Sequence, residues 1–79
     1  MKKADAVARQ LSEVAPGEVV TIESVAGGRG LTSRLSAMGL FAGREVEVVR
    51  NSRGGPVVVA VRDCRVMLGR GAAQKVMVR

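Results

Sequence analysis

Arg34-Leu-Ser-Ala-Met-Gly-Leu-Phe-Ala-Gly-Arg-Glu-Val-Glu-Val-Val49 joins the end of a helix, a glycine stop and the start of a strand. Upstream, Leu31 precedes Leu35 and Met38 at i, i+4 and i+7, the apolar stripe of a two- to three-turn helix, while Arg34, Ser36 and Ala37 fall away from it. Gly39 ends this helix, because glycine takes the left-handed conformation after the last helical residue without a Cβ clash, and an apolar residue just beyond, here Leu40, folds back on the last turn. After Gly43, the charged Glu45 and Glu47 alternate with Val46 and Val48, the pattern of a half-buried strand with one wet face. Apart from those two solvated carboxylates, nothing in the stretch can do acid-base or metal chemistry, which points to a small binding module.

The flanking residues extend this pattern in both directions. Residues 1 to 10 read as an N-terminal extension, flexible or a short helix, with Val7, Leu11 and Val14 spaced to make a helix before the Pro16-Gly17 turn. The folded domain is expected from 11 to 79. Glu18 to Val25 is a strand with Val20 and Ile22 on one face. Residues 26 to 30, Ala-Gly-Gly-Arg-Gly, form a flexible connection without the spacing of a P-loop or a dinucleotide site. Downstream come a turn at 51 to 56, an apolar strand at 57 to 62, a tight turn at Asp63-Cys64 and a short strand at 65 to 68. One helical turn within 69 to 74 and a closing strand at 75 to 79 complete the chain. The expected fold is mainly β: a small SH3-like barrel of about five strands with one short α-helix inserted after the first strand, since closure removes exposed sheet edges.

The chain of 79 residues makes one domain with a compact core, built without Trp or Tyr from Val, Leu, Ile, Met and Ala. No apolar run is long enough to span a bilayer, and the polar start does not read as a signal peptide, so a cytoplasmic location is expected. The net charge of +6 is uneven: basic and acidic side chains cancel through residue 49. From Arg50 onward, Arg50, Arg53, Arg62, Arg65, Arg70, Lys75 and Arg79 face Asp63 alone, a field that attracts an acidic partner, a phosphate surface or anionic headgroups.

Chemistry-bearing residues are scarce. The chain has no His, and Cys64 has no evident base to activate it, so no enzyme, no cofactor and no metal site is expected. Glu45 and Glu47 read as solvated charges on a strand's wet face. The candidate site is therefore a partner-binding surface at the helix and its exit: Leu35, Met38, Leu40 and Phe41, with Arg34 and Arg44 at the rim. Phe41, the only aromatic residue, sits between two glycines, where an exposed ring can serve as an anchor.

A longer pattern carries a family resemblance. Leu11-Ser12-x-x-x-Pro16-Gly17-Glu18, Arg34-Leu35-x-x-Met38-Gly39-Leu40-x-x-Gly43-x-x-Val46-x-Val48, Gly55-Pro56 and Val61-Arg62-x-x-x-Val66-x-Leu68-x-Arg70-x-x-Ala73-x-x-Val76-x-Val78 resemble the FeoA family over residues 11 to 79. Two loop positions depart from the pattern: Ala42 stands where the family usually has Pro, and Gly55 where an Asp often precedes the hairpin proline. The resemblance implies an SH3-like barrel and a small cytoplasmic accessory or regulatory protein of bacterial ferrous iron uptake. Its implied partner is the FeoB membrane transporter with its GTPase domain, so the chain would be peripheral to the membrane through that partner, and any iron handling indirect. The alternative is a nucleic-acid-binding SH3-like module using the basic C-terminal half; with one aromatic residue for base stacking, no nucleic acid is expected as partner.

Overall fold

The computed structural model describes residues 9–79. Its first element is strand β1, Arg9–Gln10, whose residues pair antiparallel with Val78 and Met77 at the other end of the chain. Arg9 and Gln10, expected in an extension, thus belong to the sheet. A 3₁₀ turn follows at Leu11–Glu13 in place of the expected helix, of which Val7 lies outside the described residues. The tighter winding stacks positions i and i+3, so Leu11 and Val14 both enter the core.

The remaining elements are β2 (Val19–Val25), α1 (Gly28–Ala37), β3 (Glu45–Asn51), β4 (Val57–Val61), β5 (Cys64–Leu68), α2 (Arg70–Ala73) and β6 (Val76–Val78). The helix starts within the glycine-rich run expected to be a loop, because Leu31 and Leu35 find apolar partners there: Leu35 is buried and Leu31 packs against the core. The tight turn lies one residue earlier than expected. Arg62 and Asp63 form it, Cys64 already pairs with Val61, and Arg62 holds a left-handed φ of 55°.

The strands form an antiparallel sheet in the order β1-β6-β2-β3-β4-β5. Here the expectation of a closed barrel of about five strands is corrected. Among the described residues there are six strands, and the sheet they form stays open, with β1 and β5 at its edges. A two-residue β1 offers too little backbone to zip against the five-residue β5. The sheet bends instead. The first half of β2 pairs with β3 through Val19, Val20 and Thr21, the second half with β6 through Ile22, Ser24 and Val25, and a register shift separates Ile22 from Ser24. A second shift lies between Val48 and Arg50, and such bulges increase local twist.

Alternation sets the core. Val20 and Ile22, Val46 and Val48, Val57, Val59 and Val61, and Val76 and Val78 all point inward, and Leu11, Val14, Leu35, Leu40, Leu68 and Ala73 complete the cluster. Each of its fully buried Val and Leu side chains is worth about 1.5–3 kcal/mol relative to exposure.

At the open end of this core, polar groups fasten segments far apart in sequence. The Arg70 guanidinium donates through Nε to the Gly55 carbonyl, through Nη1 to that of Ser12, and through Nη2 to the Ser52 carbonyl and Asn51 Oδ1. Asn51 Nδ2 in turn donates to the carbonyls of Ser12 and Val14 at 2.9 and 2.7 Å. The 3₁₀ turn, the β3–β4 loop and the start of α2 are thereby tied at one point. Nearby, Glu18 accepts from the Ala15 backbone N–H and from Arg9, and these bonds, the backbone one foremost, hold its carboxyl below the ordinary glutamate range.

Arg70→Lys keeps the charge but loses the planar fork. The expected loss is about 2 kcal/mol of unfolding free energy, read from urea denaturation; an unchanged midpoint would contradict the tie.

Candidate functional site

The exit of α1 is built by a Schellman stop. The Leu40 N–H donates to the Leu35 carbonyl at 2.8 Å and the Gly39 N–H to that of Ser36 at 3.0 Å, with Gly39 at φ 90°. A side chain at Gly39 would be strained by that φ and would also press on Val61 Cγ1. This geometry turns Leu40 inward beside Leu35, both 1% exposed. The next four residues make a turn in which the Arg44 N–H donates to the Phe41 carbonyl at 3.0 Å and Gly43 takes φ 93°. A left-handed third residue is the mark of a type II turn, so Ala42 occupies the second position, which favours proline.

The six residues expected to form a docking surface therefore divide. Leu35 and Leu40 belong to the core, and their expected place on that surface is withdrawn. Met38 and Phe41 stay on the surface, 41% and 40% exposed. Arg44 comes over the Phe41 ring, its guanidinium carbon 4.6 Å from the centroid, a cation–π contact that covers one face. Within the described residues, Arg44 Nε is the one buried side-chain nitrogen or oxygen left without a hydrogen-bond partner. Arg34 lies exposed in the last turn of α1 and joins neither group through an ion pair or hydrogen bond among the described residues.

From Ser24 to Arg44 the sequence has no acidic residue and carries Arg29, Arg34 and Arg44. The Lys75 side chain lies against Gly27 at the start of α1, and its carbonyl accepts from the Ala26 N–H. Along the outer side of the helix, Gly28, Arg29, Thr32, Ser33 and Ser36 line a shallow open depression.

The C-terminal excess charge is less concentrated than its sequence implies. Arg70 is spent on carbonyls, and Arg79 sits 3.9 Å from Glu23. On the outward face of the sheet the exposed Val19 stands opposite Glu47, which faces Ala60 and then Arg65, while Met67 faces Val58 and then Arg50. Apolar side chains there are single and interleaved with charges of both signs, as on ordinary surfaces.

Sequence reasoning missed the Arg70–Asn51 network, counting Arg70 only as surface charge. Its one signal was the place of Arg70 within the family-like series. Within the described residues no group of three or more His, Cys, Asp or Glu could hold a metal ion, and Cys64 is exposed and free. No helix of the described residues is long and apolar enough to cross a membrane.

Comparison with known proteins places this geometry among relatives. A model of the FeoA domain matches residues 9–79. A Methanocaldococcus jannaschii protein named "Putative Fe(2+) transport protein A" is 37% identical over 62 residues, 78% of this chain and 74% of that protein. The crystal structure of an iron uptake regulatory protein (FeoA) superposes with a TM-score of 0.86 at 33% identity, covering 92% of this chain and 97% of the other. Stenotrophomonas maltophilia FeoA complexed with zinc, described as a procaryotic SH3 domain protein, gives a TM-score of 0.76 at 29% identity over 94% and 91% of the two chains.

Two stability measurements check this geometry. Leu35→Ala or Leu40→Ala is expected to cost about 2–5 kcal/mol in urea denaturation, against less than about 1 kcal/mol for Phe41→Ala; equal losses at all three positions would refute the division into core and surface. Ala42→Pro is expected to stabilise by about 0.4–1 kcal/mol, seen as a raised thermal midpoint, because the turn holds the backbone that proline prefers.

Proposed function

Because the chain belongs to the FeoA family, with the domain spanning residues 9–79, we propose that it is a cytoplasmic accessory protein of ferrous iron uptake that docks on the cytoplasmic part of a FeoB-type transporter. The observation that carries this reading is the exposed pair Met38 and Phe41 at the helix exit, with Arg44 stacked on the ring. An aromatic side chain held by a rigid turn loses little conformational freedom on binding, and such rings are frequent anchors of protein interfaces. Iron transport in the name of the M. jannaschii relative and iron uptake regulation in that of the FeoA crystal structure support the same direction.

Docking alone is enough for regulation. A protein that binds one conformation of the transporter more tightly than another shifts their populations by the difference in affinity, with no catalysis of its own. The scarcity of acid-base groups is consistent with that role: the chain contains no His.

Phe41→Glu tests the reading. Circular dichroism should show a folded protein, since the ring lies outside the core, and affinity for the purified cytoplasmic part of the transporter should fall at least about 30-fold, as for removal of an interface anchor. A folded variant that binds as the native chain does would refute the docking site.

A further inference from the structure

We infer that the outer edge of β5 is a strand-addition site. It takes an extended partner segment as one more antiparallel strand, with an apolar residue against Met67 and another against Val66, followed by a carboxylate against Arg65. The site uses a different element from Phe41 and does not depend on the docking role proposed there.

Val61 and Cys64 flank the tight turn and form its hydrogen-bonded pair, so alternation along the antiparallel ladder makes the Val59–Val66 and Val57–Leu68 pairs bonded as well. The N–H and C=O groups of Arg65 and Met67 therefore point away from β4, and among the described residues no backbone group bonds to them. An incoming antiparallel strand can pair with all of them. Sheet edges are usually blunted by shortness, a proline, a bulge or several charges. The other edge, β1, is two residues long. By contrast β5 has five residues, no proline, an unbroken register with β4 and Arg65 as its one charge.

The side chains set what the added strand presents. Val66 stands opposite the buried Val59 and packs half-buried at the margin of the core, so an apolar residue across from it extends that core. Met67, on the outward face, is the most exposed large apolar side chain among the described residues. On the same face Arg65 meets Ala60 across the ladder, and the acid in its row, Glu47, comes one strand further in. From an added strand Glu47 is three strand spacings away, roughly 14 Å, beyond the screening length of about 8 Å at physiological salt. Asp63 is exposed in the turn beside Arg62, outside the ladder. A carboxylate directly opposite Arg65 is thus the charge this row lacks.

Charge weighs against the other occupants. Antiparallel self-pairing of two copies over all of β5 sets Arg62 toward Arg70 at both ends and joins two chains of +6 each. The segment before Arg9 carries Lys2 and Lys3 against Asp5, so it too brings net positive charge.

The probe is the capped pentapeptide Thr-Val-Val-Glu-Thr, whose glutamate falls opposite Arg65 when its central valine faces Val66. It is titrated into the full chain up to millimolar concentration and followed by amide NMR. Solvent exchange of the Arg65 and Met67 amide hydrogens is expected to slow at least about threefold. A peptide with lysine in place of glutamate should bind at least about threefold more weakly. Arg65→Glu, an exposed change whose fold circular dichroism checks, should reverse that preference. Methylation of the glutamate nitrogen removes one ladder bond and should weaken binding at least about tenfold. No binding at millimolar peptide, unchanged exchange at these two amides, or equal affinity for the glutamate and lysine peptides overturns the inference. Protection of both amides before peptide is added does the same, since the edge is then already paired by the chain's own N-terminal segment or by a second copy.

Discussion

At Gly39 the chain leaves α1 with a φ of 90°, and the Leu40 N–H reaches back 2.8 Å to the Leu35 carbonyl. That reversal fixes two directions at once. Leu40 is driven beside Leu35 into the core, and the following residue, in a turn closed between the Phe41 carbonyl and the Arg44 N–H, is left at the surface. The same turn is tied to the sheet, since the Gly43 N–H donates to the Ile22 carbonyl and the Ile22 N–H to that of Arg44. Phe41 is therefore held at a defined place on the body. A ring positioned in this way can act as an anchor because most of the ordering cost has been met during folding.

The far side of the core is held differently. The sheet does not close, so the segments at its open end need another fastening, and Arg70 with Asn51 supplies it by joining the 3₁₀ turn, the β3–β4 loop and α2. A guanidinium can do this because its fixed fork presents several donors in one plane. The consequence for function is indirect: one cation of the basic C-terminal half serves the fold and is not free to meet a partner.

The strands and the helix stop were legible because they depend on local rules. Alternation marked Val46 and Val48, and the sequence Met38-Gly39-Leu40 encoded the stop and the inward return. What escaped depended on distant partners. Residues 26 to 30 look like a loop because glycine disfavours helix, and only the packing of Leu31 and Leu35 overrides that preference. Leu11 and Val14 fit a helix at i and i+3 as well as a 3₁₀ turn, and burial does not separate the two from sequence. Barrel closure was misjudged because the two-residue length of β1 is set by its pairing with β6. At the candidate site, Phe41 and Met38 could be named, but the assignment of Leu35 and Leu40 to the core required the folded geometry. Arg44 was placed at the rim, whereas its position over the ring is a tertiary fact.

Members of the FeoA family share the small body described here, and the docking face proposed for this chain is centred on Phe41. The most direct measurement is photocrosslinking in membranes containing the transporter, with a photoreactive aromatic amino acid placed at position 41 or, on the opposite loop, at position 53. Docking through Phe41 gives an adduct with the transporter from position 41 and none from position 53. Adducts from position 53 without any from position 41 would contradict it.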